Sequence, residues 1–274
     1  MFDLEIRCKT LEERLKSLVA DPTYTNCRID DFGECYFILS TNEGLEKIKL
    51  SMFVAEMSDY VNAGALDFIS TEYAEWMCQP EGDCQLAIEV SLAQLADETV
   101  FEKVMCFKKS FYAHPYMSLI DQTQTEPIVI THTNGLATYL LPLLDDKGLT
   151  VYFELSSTDS VEKEIIKVFV NEFDAMSRDN KYRIYPRLAF SATPVIEVQS
   201  LLASTHKRPS VGYVSIGMYE QHLEDEVNRD NCINSVILFR SFLNYHVKAT
   251  KSNMQARMRN RYNGLLKDLK KREY

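Results

Sequence analysis

The chain has 274 residues and a mass of 31.6 kDa, which is long enough for two compact domains. Hydrophobic residues make up 46% and charged residues 26%, which excludes a disordered chain. The formal net charge of −10 disfavours a general nucleic-acid binder. Only nine glycines are present and no two form a Gly-x-Gly pair, so neither a dinucleotide-binding fingerprint nor a phosphate loop is expected.

Cysteine usage indicates a reducing compartment. The seven cysteines are irregularly spaced and include no Cys-x-x-Cys pair, which favours reduced packing residues in a cytosolic protein. No basic segment followed by an apolar stretch opens the chain, so no signal peptide is expected. Residues 127–144 are uncharged, but Asn134-Gly135 in their polar middle predicts a hairpin and not a membrane span.

The first half of the chain alternates between helical and strand-like patterns. Apolar residues at spacings of four and three predict an amphipathic helix over 4–19. Asp97 is placed to cap a later helix, which we expect at the junction of the two halves. The other predicted elements are strands at 25–31, 34–40, 46–52 and 84–92, helical segments over 53–77 with a break at Asn62-Ala63-Gly64, and the helix at 97–112.

The second half repeats this order of elements. Asp159, followed three residues later by Glu162, resembles a capping box at the start of a helix. The apolar face predicted for that helix consists of Val161, Ile165, Val168, Phe169, Phe173 and Met176. The other elements are the hairpin 126–141, strands at 149–155, 187–191 and 211–219, and a long helix from about 230 to 271.

The repeated order predicts the fold class. We expect an α+β protein of two similar α/β sandwich domains, each an antiparallel sheet with flanking helices, followed by the long C-terminal α-helix. The first domain is predicted over 1–122 and the second over 123–274, including the long helix.

The long helix has an apolar stripe. About 42 residues at 1.5 Å each give a helix of about 60 Å, which is longer than one small domain can cover. Several apolar residues recur eleven apart, which keeps them on one side of a nearly straight helix. We expect this stripe to pack against a partner helix. Its members are Leu243, Val247, Met254, Met258, Leu265 and Leu269.

The same helix is strongly basic. Residues 245–274 carry nine basic and two acidic residues, a local charge of +7, whereas residues 1–244 carry −17. Lys248, Arg259 and Lys270 share the eleven-residue period and form a row on one flank. One interpretation is an ordinary solvated face. The other is an electrostatic footprint for an acidic polymer or protein surface, favoured because few acidic residues balance the row.

A series of segments in this region resembles one known family. In order, they are similar to the C-terminal signature of subunit 2 of the actin-related protein 2/3 complex. The match is most specific over 205–262, and two segments of the first half resemble the family more loosely. The segments are Val211–Ile216, Arg229–Asn231, Asn244–Lys248 and Arg257–Arg259, with Leu149–Leu155 and Val168–Phe173 upstream, and Asp31–Gly33 and Glu46–Met52 in the first half.

The resemblance implies a non-enzymatic scaffold in the cytoplasmic actin cytoskeleton. It implies that the long helix packs against the long helix of subunit 4. This heterodimer would be the core of a seven-subunit assembly that holds the two actin-related subunits and docks on the side of an existing actin filament, from which a branch grows. Lys248, Arg257 and Arg259 match basic positions of the family and are predicted filament contacts. Arg261, Lys267 and Lys270 are added on charge alone.

An alternative function remains open at this point. The element order also fits tandem secretion-chaperone-type domains, which would capture peptides on their sheets. No enzyme, cofactor or metal site is predicted, because the histidines share no ligand spacing. Cys106 and His114 could form a thiol–imidazole pair, but the apolar helical context of Cys106 favours a structural thiol.

Overall fold

The computed structural model describes residues 6–31, 35–143, 147–179, 185–202 and 209–271, without the side chains of residues 267, 268, 270 and 271. The start of the predicted helix 4–19 and the Phe32-Gly33 pair lie outside this part of the chain. The elements described in the first half are α1 (Lys9–Ala20), β1 (Asn26–Asp31), β2 (Cys35–Thr41), β3 (Lys47–Val54), α2 (Met57–Asn62), α3 (Ala65–Glu72), β4 (Leu86–Ser91), α4 (Leu92–Leu95), α5 (Glu98–Met105) and α6 (Phe107–Ile120).

The second half contains the second sheet and the long helix. Its described elements are β5 (Ile128–Thr131), β6 (Ala137–Pro142), β7 (Gly148–Leu155), α7 (Ser160–Ser177), β8 (Arg187–Ser191), α8 (Ile196–Leu201), β9 (Gly212–Tyr219), a short 3₁₀ turn (Glu220–His222) and α9 (Glu226–Lys271).

Each half is built around one antiparallel sheet. The first sheet has the order β1-β2-β3-β4, and the second has the order β5-β6-β7-β9-β8. The longest pairing runs from Gly148 opposite Tyr219 to Leu155 opposite Gly212. The hairpin predicted at Asn134-Gly135 joins β5 to β6, and Gly135 takes a positive φ of 76°, which glycine adopts readily. The predicted fold class, two antiparallel sheets with flanking helices and a long C-terminal helix, is confirmed.

The helix predicted over 97–112 is two helices. Asp97 caps α5 by accepting hydrogen bonds from the N–H groups of Thr99 and Val100, as expected. The chain then breaks at Cys106 and continues as α6 to Ile120. The one-sided pattern ends there because α6 is buried on several sides at once, against α3 and α5 in its own half and β6, β7 and α9 in the other. This contact confirms its expected position at the junction of the halves.

Polar contacts also join the two halves at the end of β5. The carboxylate of Asp59 on α2 accepts a hydrogen bond from the N–H of Thr131 at 2.6 Å. His132 contacts Glu56, just before α2, at 3.1 Å through one ring nitrogen, and Thr138 on β6 at 2.8 Å through the other. The halves are therefore held by hydrogen bonds as well as by the apolar side chains of α6.

The apolar face predicted for α7 is partly wrong. Val161, Val168 and Met176 are exposed, whereas Ile165, Ile166 and Val170 are buried. The reason is that α7 packs against β8 on one side and α9 on another, which moves the buried face around the helix. Asp159 caps α7 as predicted, and its carboxylate accepts hydrogen bonds from the N–H groups of Val161 and Glu162.

The outward face of each sheet is partly covered by the chain itself. In the first half, the segment that precedes β4 lies across the sheet, where Glu81 hydrogen-bonds to Ser40 on β2 and to Ser51 on β3. In the second half, Val198 of α8 is fully buried in a small cluster with Tyr139 and Tyr213. This covering does not favour the capture of peptides on the sheets.

Candidate interaction site on the long helix

The first turns of α9 are tied to the first half of the chain. The Asp225 carboxylate accepts a hydrogen bond from the N–H of Asn228 at 2.9 Å, which caps the start of the helix. One turn later Arg229 pairs with Asp121, just after α6, at 2.7 Å. Lys109 on α6 pairs with Asp230. Asp225 therefore caps α9, and the Arg229–Asp121 and Lys109–Asp230 pairs anchor its first turns to the region of α6.

The next part of α9, residues 232–247, contributes to the core. A line of apolar residues faces β7, α6 and α7, and Phe239 packs on Phe153 with ring centroids 5.0 Å apart. His246 lies among aromatic rings, 4.2 Å from Phe242 and 6.2 Å from Phe169. The buried members of the line are Cys232, Ile233, Val236, Phe239, Leu243 and Val247.

Two members of the predicted partner-helix stripe belong to this core. Leu243 and Val247 are buried against the chain's own residues, so their side chains have no surface to offer a partner. Leu243 and Val247 therefore belong to the chain's own core and not to the predicted contact with a partner helix. The eleven-residue period continues through Leu243 and Val247 because the same side of α9 is apolar along its length. That side faces the body of the protein in the packed portion and is exposed where the helix extends beyond the body.

Lys251 marks the place where α9 leaves the body. Its Nζ lies 2.7 Å from Asp159 and 2.9 Å from Glu162, both at the start of α7. The hydrogen bonds from Lys251 lower the pKa of both carboxyl groups, and the hydrogen bond to Asp159 does most to raise the pKa of Lys251. Lys251 is therefore an anchor within the chain and not part of a free basic surface.

Residues 252–271 form an arm that extends beyond the body. Every side chain from Ser252 to Leu266 is exposed, and the arm spans about 30 Å at 1.5 Å per residue. The remaining four residues of the predicted stripe lie on the arm and are exposed. They are Met254, Met258, Leu265 and Leu269.

The predicted filament contacts are exposed where the structure describes them. Lys248 lies on the outer side of the packed portion, and the other three, Arg257, Arg259 and Arg261, lie on the arm. No carboxylate among the described side chains pairs with any of these four. The side chains of Lys267 and Lys270 lie outside the described part of the arm.

Two exposed apolar residues of the arm were missed by the sequence prediction. Tyr262 and Leu266 do not repeat at the eleven-residue interval that defined the stripe, yet both lie on the arm with exposed side chains. Helical spacing could have found them, since Tyr262 follows Met258 by four residues and Leu266 follows Tyr262 by four.

The geometry does not support an activated thiol at Cys106. Burial raises the pKa of Cys106 and lowers the pKa of His114, which is the opposite of what a thiolate–imidazolium pair requires. The His114 ring instead stacks on Phe68 at 4.8 Å. All seven cysteines are free thiols.

The described residues lack two further features, a metal-binding cluster and a membrane-spanning helix. No group of three or more His, Cys, Asp or Glu side chains in that part of the chain is placed to hold a metal ion. Within the same residues, no helix combines the length and the apolar character needed to cross a membrane.

Comparison with known proteins assigns the chain to a family. The family model for the Arp2/3 complex 34 kD subunit, p34-Arc, matches residues 50–273. The actin-related protein 2/3 complex subunit 2 of Schizosaccharomyces pombe is 26% identical over 278 positions, covering 92% of this chain and 86% of that protein. The subunit 2 of Dictyostelium discoideum is 23% identical, covering 98% of this chain and 92% of that protein. The chain therefore belongs to the p34-Arc family of Arp2/3 complex subunits.

Proposed function

We propose that this chain is a non-enzymatic, actin-filament-binding scaffold subunit of the Arp2/3 complex in the cytoplasmic actin cytoskeleton. In this proposal its arm packs against the long helix of subunit 4, and the basic residues of α9 dock the complex on the side of an existing filament. The heterodimer then supports the other subunits, including the two actin-related proteins, during branched nucleation. The observation that carries the proposal is the arm itself, an exposed helix whose apolar face is bordered by basic residues.

The apolar side of the arm supports a helical partner. Met254, Met258, Leu265 and Leu269 are all exposed on the arm, where every side chain from Ser252 to Leu266 is exposed. A contiguous apolar surface of this kind marks an interaction site in soluble proteins. A helix is the partner that can follow a straight stripe of about 30 Å along its whole length.

The charge distribution supports a filament contact. Lys248, Arg257 and Arg259 are exposed and unpaired with any described carboxylate, whereas the rest of the chain carries a strong negative charge. The family resemblance implies an acidic partner, the actin filament. Electrostatic complementarity of this kind orients a docking surface and speeds its association.

Filament co-sedimentation of the assembled complex tests the proposal. Replacing Lys248, Arg257 and Arg259 by Ala should weaken co-sedimentation by about tenfold or more while the complex still assembles, since a few exposed charges contribute about 0.2–1 kcal/mol each. Added salt should reduce the difference between wild type and variant, because exposed charges are screened over about 8–10 Å at physiological ionic strength.

The matched control removes three exposed basic residues from the body. Replacing Lys9, Arg14 and Lys16 on α1 by Ala changes the net charge by the same amount and should leave co-sedimentation unchanged. If both triple variants lose binding equally, the contact is general charge attraction and the proposed docking site is wrong. If the α9 variant fails to assemble, these residues serve packing instead.

A further inference from the structure

Tyr262 and Leu266 complete an apolar face along the arm. Successive residues of an α-helix are rotated by about 100° around its axis. Met254 and Leu265 therefore lie at one edge of this face, and Leu266 lies at the other edge, about 120° from Met254. The remaining members lie between these edges. Tyr262 lies about 80° from Met254, within about 20° of the middle of the face. The full set of exposed members is Met254, Met258, Tyr262, Leu265, Leu266 and Leu269.

Basic residues border this face on both sides. Arg261 lies about 20° beyond the Met254 edge, and Arg259 lies about 20° beyond the Leu266 edge. These are the flanking positions at which charged residues of paired helices meet and determine partner choice. Two copies of this arm would bring arginine against arginine in either orientation, which disfavours self-pairing. The face fits a helix of another chain whose apolar side is edged by carboxylates.

We infer that Tyr262 is the central anchor of this interface and that Arg259 and Arg261 select a partner helix with acidic edges. Tyr262 is the only aromatic side chain on the arm, residues 252–271. A tyrosine ring is a large, rigid contact surface, and the residues that contribute most to interface energy are enriched in tyrosine and lie near the centre of the interface, whereas leucine is under-represented among them. The inference rests on the proposed function, since it assigns residues to the subunit 4 contact.

The test uses the full chain with the subunit 4 chain of the same organism as the probe. Tyr262→Ala should weaken formation of the 1:1 complex by about 30-fold, the usual threshold for a central interface residue. Tyr262→Phe should retain most of the affinity. Tyr245→Ala is the matched control, because Tyr245 is 60% exposed and Tyr262 is 61% exposed on the same helix. Tyr245 lies about 100° around the helix from Tyr262, outside the apolar face, and its loss should have no effect.

Charge reversal tests the bordering residues separately. Arg259→Ala with Arg261→Ala should leave the affinity within about fivefold, since exposed ion pairs contribute little. Arg259→Glu with Arg261→Glu should weaken it more, most strongly at low salt, because glutamates would then face the partner's carboxylates. A reversal that has no larger effect than the alanine pair overturns the acidic-edge assignment.

The outcomes distinguish this inference from the proposed function. If wild-type chains form the complex and Tyr262→Ala forms it as well as Tyr245→Ala does, the anchor assignment is wrong and the proposed function survives. If wild-type chains form no complex with subunit 4, both fail. Because Tyr262 is exposed, its replacement should leave the helical content and thermal unfolding midpoint of the chain unchanged, and that measurement excludes misfolding as the cause of lost binding.

Discussion

The packed and free portions of α9 use the same apolar spacing for different purposes. Leu243 and Val247 on the packed portion are buried in the chain's own core, whereas Leu265 and Leu269 on the arm are exposed. The spacing is the same because one helix continues without a break from Glu226 to Lys271. Periodicity therefore identifies the apolar side of a helix but does not show which molecule covers it.

The charged residues of the two portions also differ in whether they contact the rest of the chain. In the packed portion Arg229, Asp230 and Lys251 each pair with a residue from another element. On the arm, Arg257, Arg259 and Arg261 pair with no described carboxylate. With the exception of Lys248, which is exposed on the packed portion, the charges that tie α9 to the body lie before or at Lys251, and the charges without a described partner lie beyond it.

The largest expected difference between the portions is in stability. Leu243 is 2% exposed and Leu265 is 57% exposed, so the same Leu→Ala change removes a core contact in one case and an exposed side chain in the other. Leu243→Ala should lower the free energy of unfolding by about 2–5 kcal/mol. Leu265→Ala should change it by less than about 0.5 kcal/mol.

Urea unfolding followed by circular dichroism measures both changes. Equal losses for the two variants would show that the arm folds back onto the body. A Leu243→Ala chain as stable as wild type would show that the packed portion is not part of the core.

The fold was largely predictable where each element has one buried side. The strand predicted at 149–155 is β7 from Gly148 to Leu155, and Gly64, with a φ of +81°, separates α2 from α3 as expected. The break at Cys106 was not predictable, since α6 is apolar on several sides and lacks a one-sided pattern. The position of β9 between β7 and β8 depends on contacts between distant segments, which local spacing does not contain.

The sequence predicted which side of α9 forms the candidate site, but it did not predict which residues on that side belong to the site. The stripe included Leu243 and Val247 because nothing in the local pattern marks where the body ends. The anchor at Lys251 depends on Asp159, 92 residues earlier, and appears only when α7 packs against α9. Tyr262 was missed because an eleven-residue repeat selects only identical positions, although a contact face also includes the positions between them.

The anchor at Lys251 should make stability depend on pH. The folded-state pKa values of Asp159 and Glu162 are lowered, so their contribution is present above their unfolded values near pH 4 and lost as the pH falls through the folded values. The pKa of Lys251 is raised, so its contribution is lost only as the pH rises above about 10. Lys251→Met should therefore lower the unfolding midpoint between about pH 5 and pH 9, with the difference from wild type narrowing below about pH 4.

Lys248→Met is the control for this experiment. Lys248 lies one turn earlier and is exposed without a described carboxylate partner. For Lys248→Met, the difference in unfolding midpoint from wild type should therefore not narrow below about pH 4. A difference between wild type and Lys251→Met that stays constant down to about pH 2 would contradict the assignment, because the carboxyl groups of the unfolded chain are protonated there and the contribution of the pair must already have fallen.

The smallest expected effect is confined to the arm. Gly264 lies in its middle, and a Cβ placed there meets no atom within 4 Å. Glycine in a helix is less favourable than alanine by about 1 kcal/mol, so Gly264→Ala should slow amide hydrogen exchange around it by about fivefold. The reverse change, Ala256→Gly, should speed exchange by a similar factor. Neither should move the global unfolding midpoint, because every side chain from Ser252 to Leu266 is exposed. A shift in that midpoint would mean that arm and body unfold as one unit, and the separation at Lys251 would then be wrong.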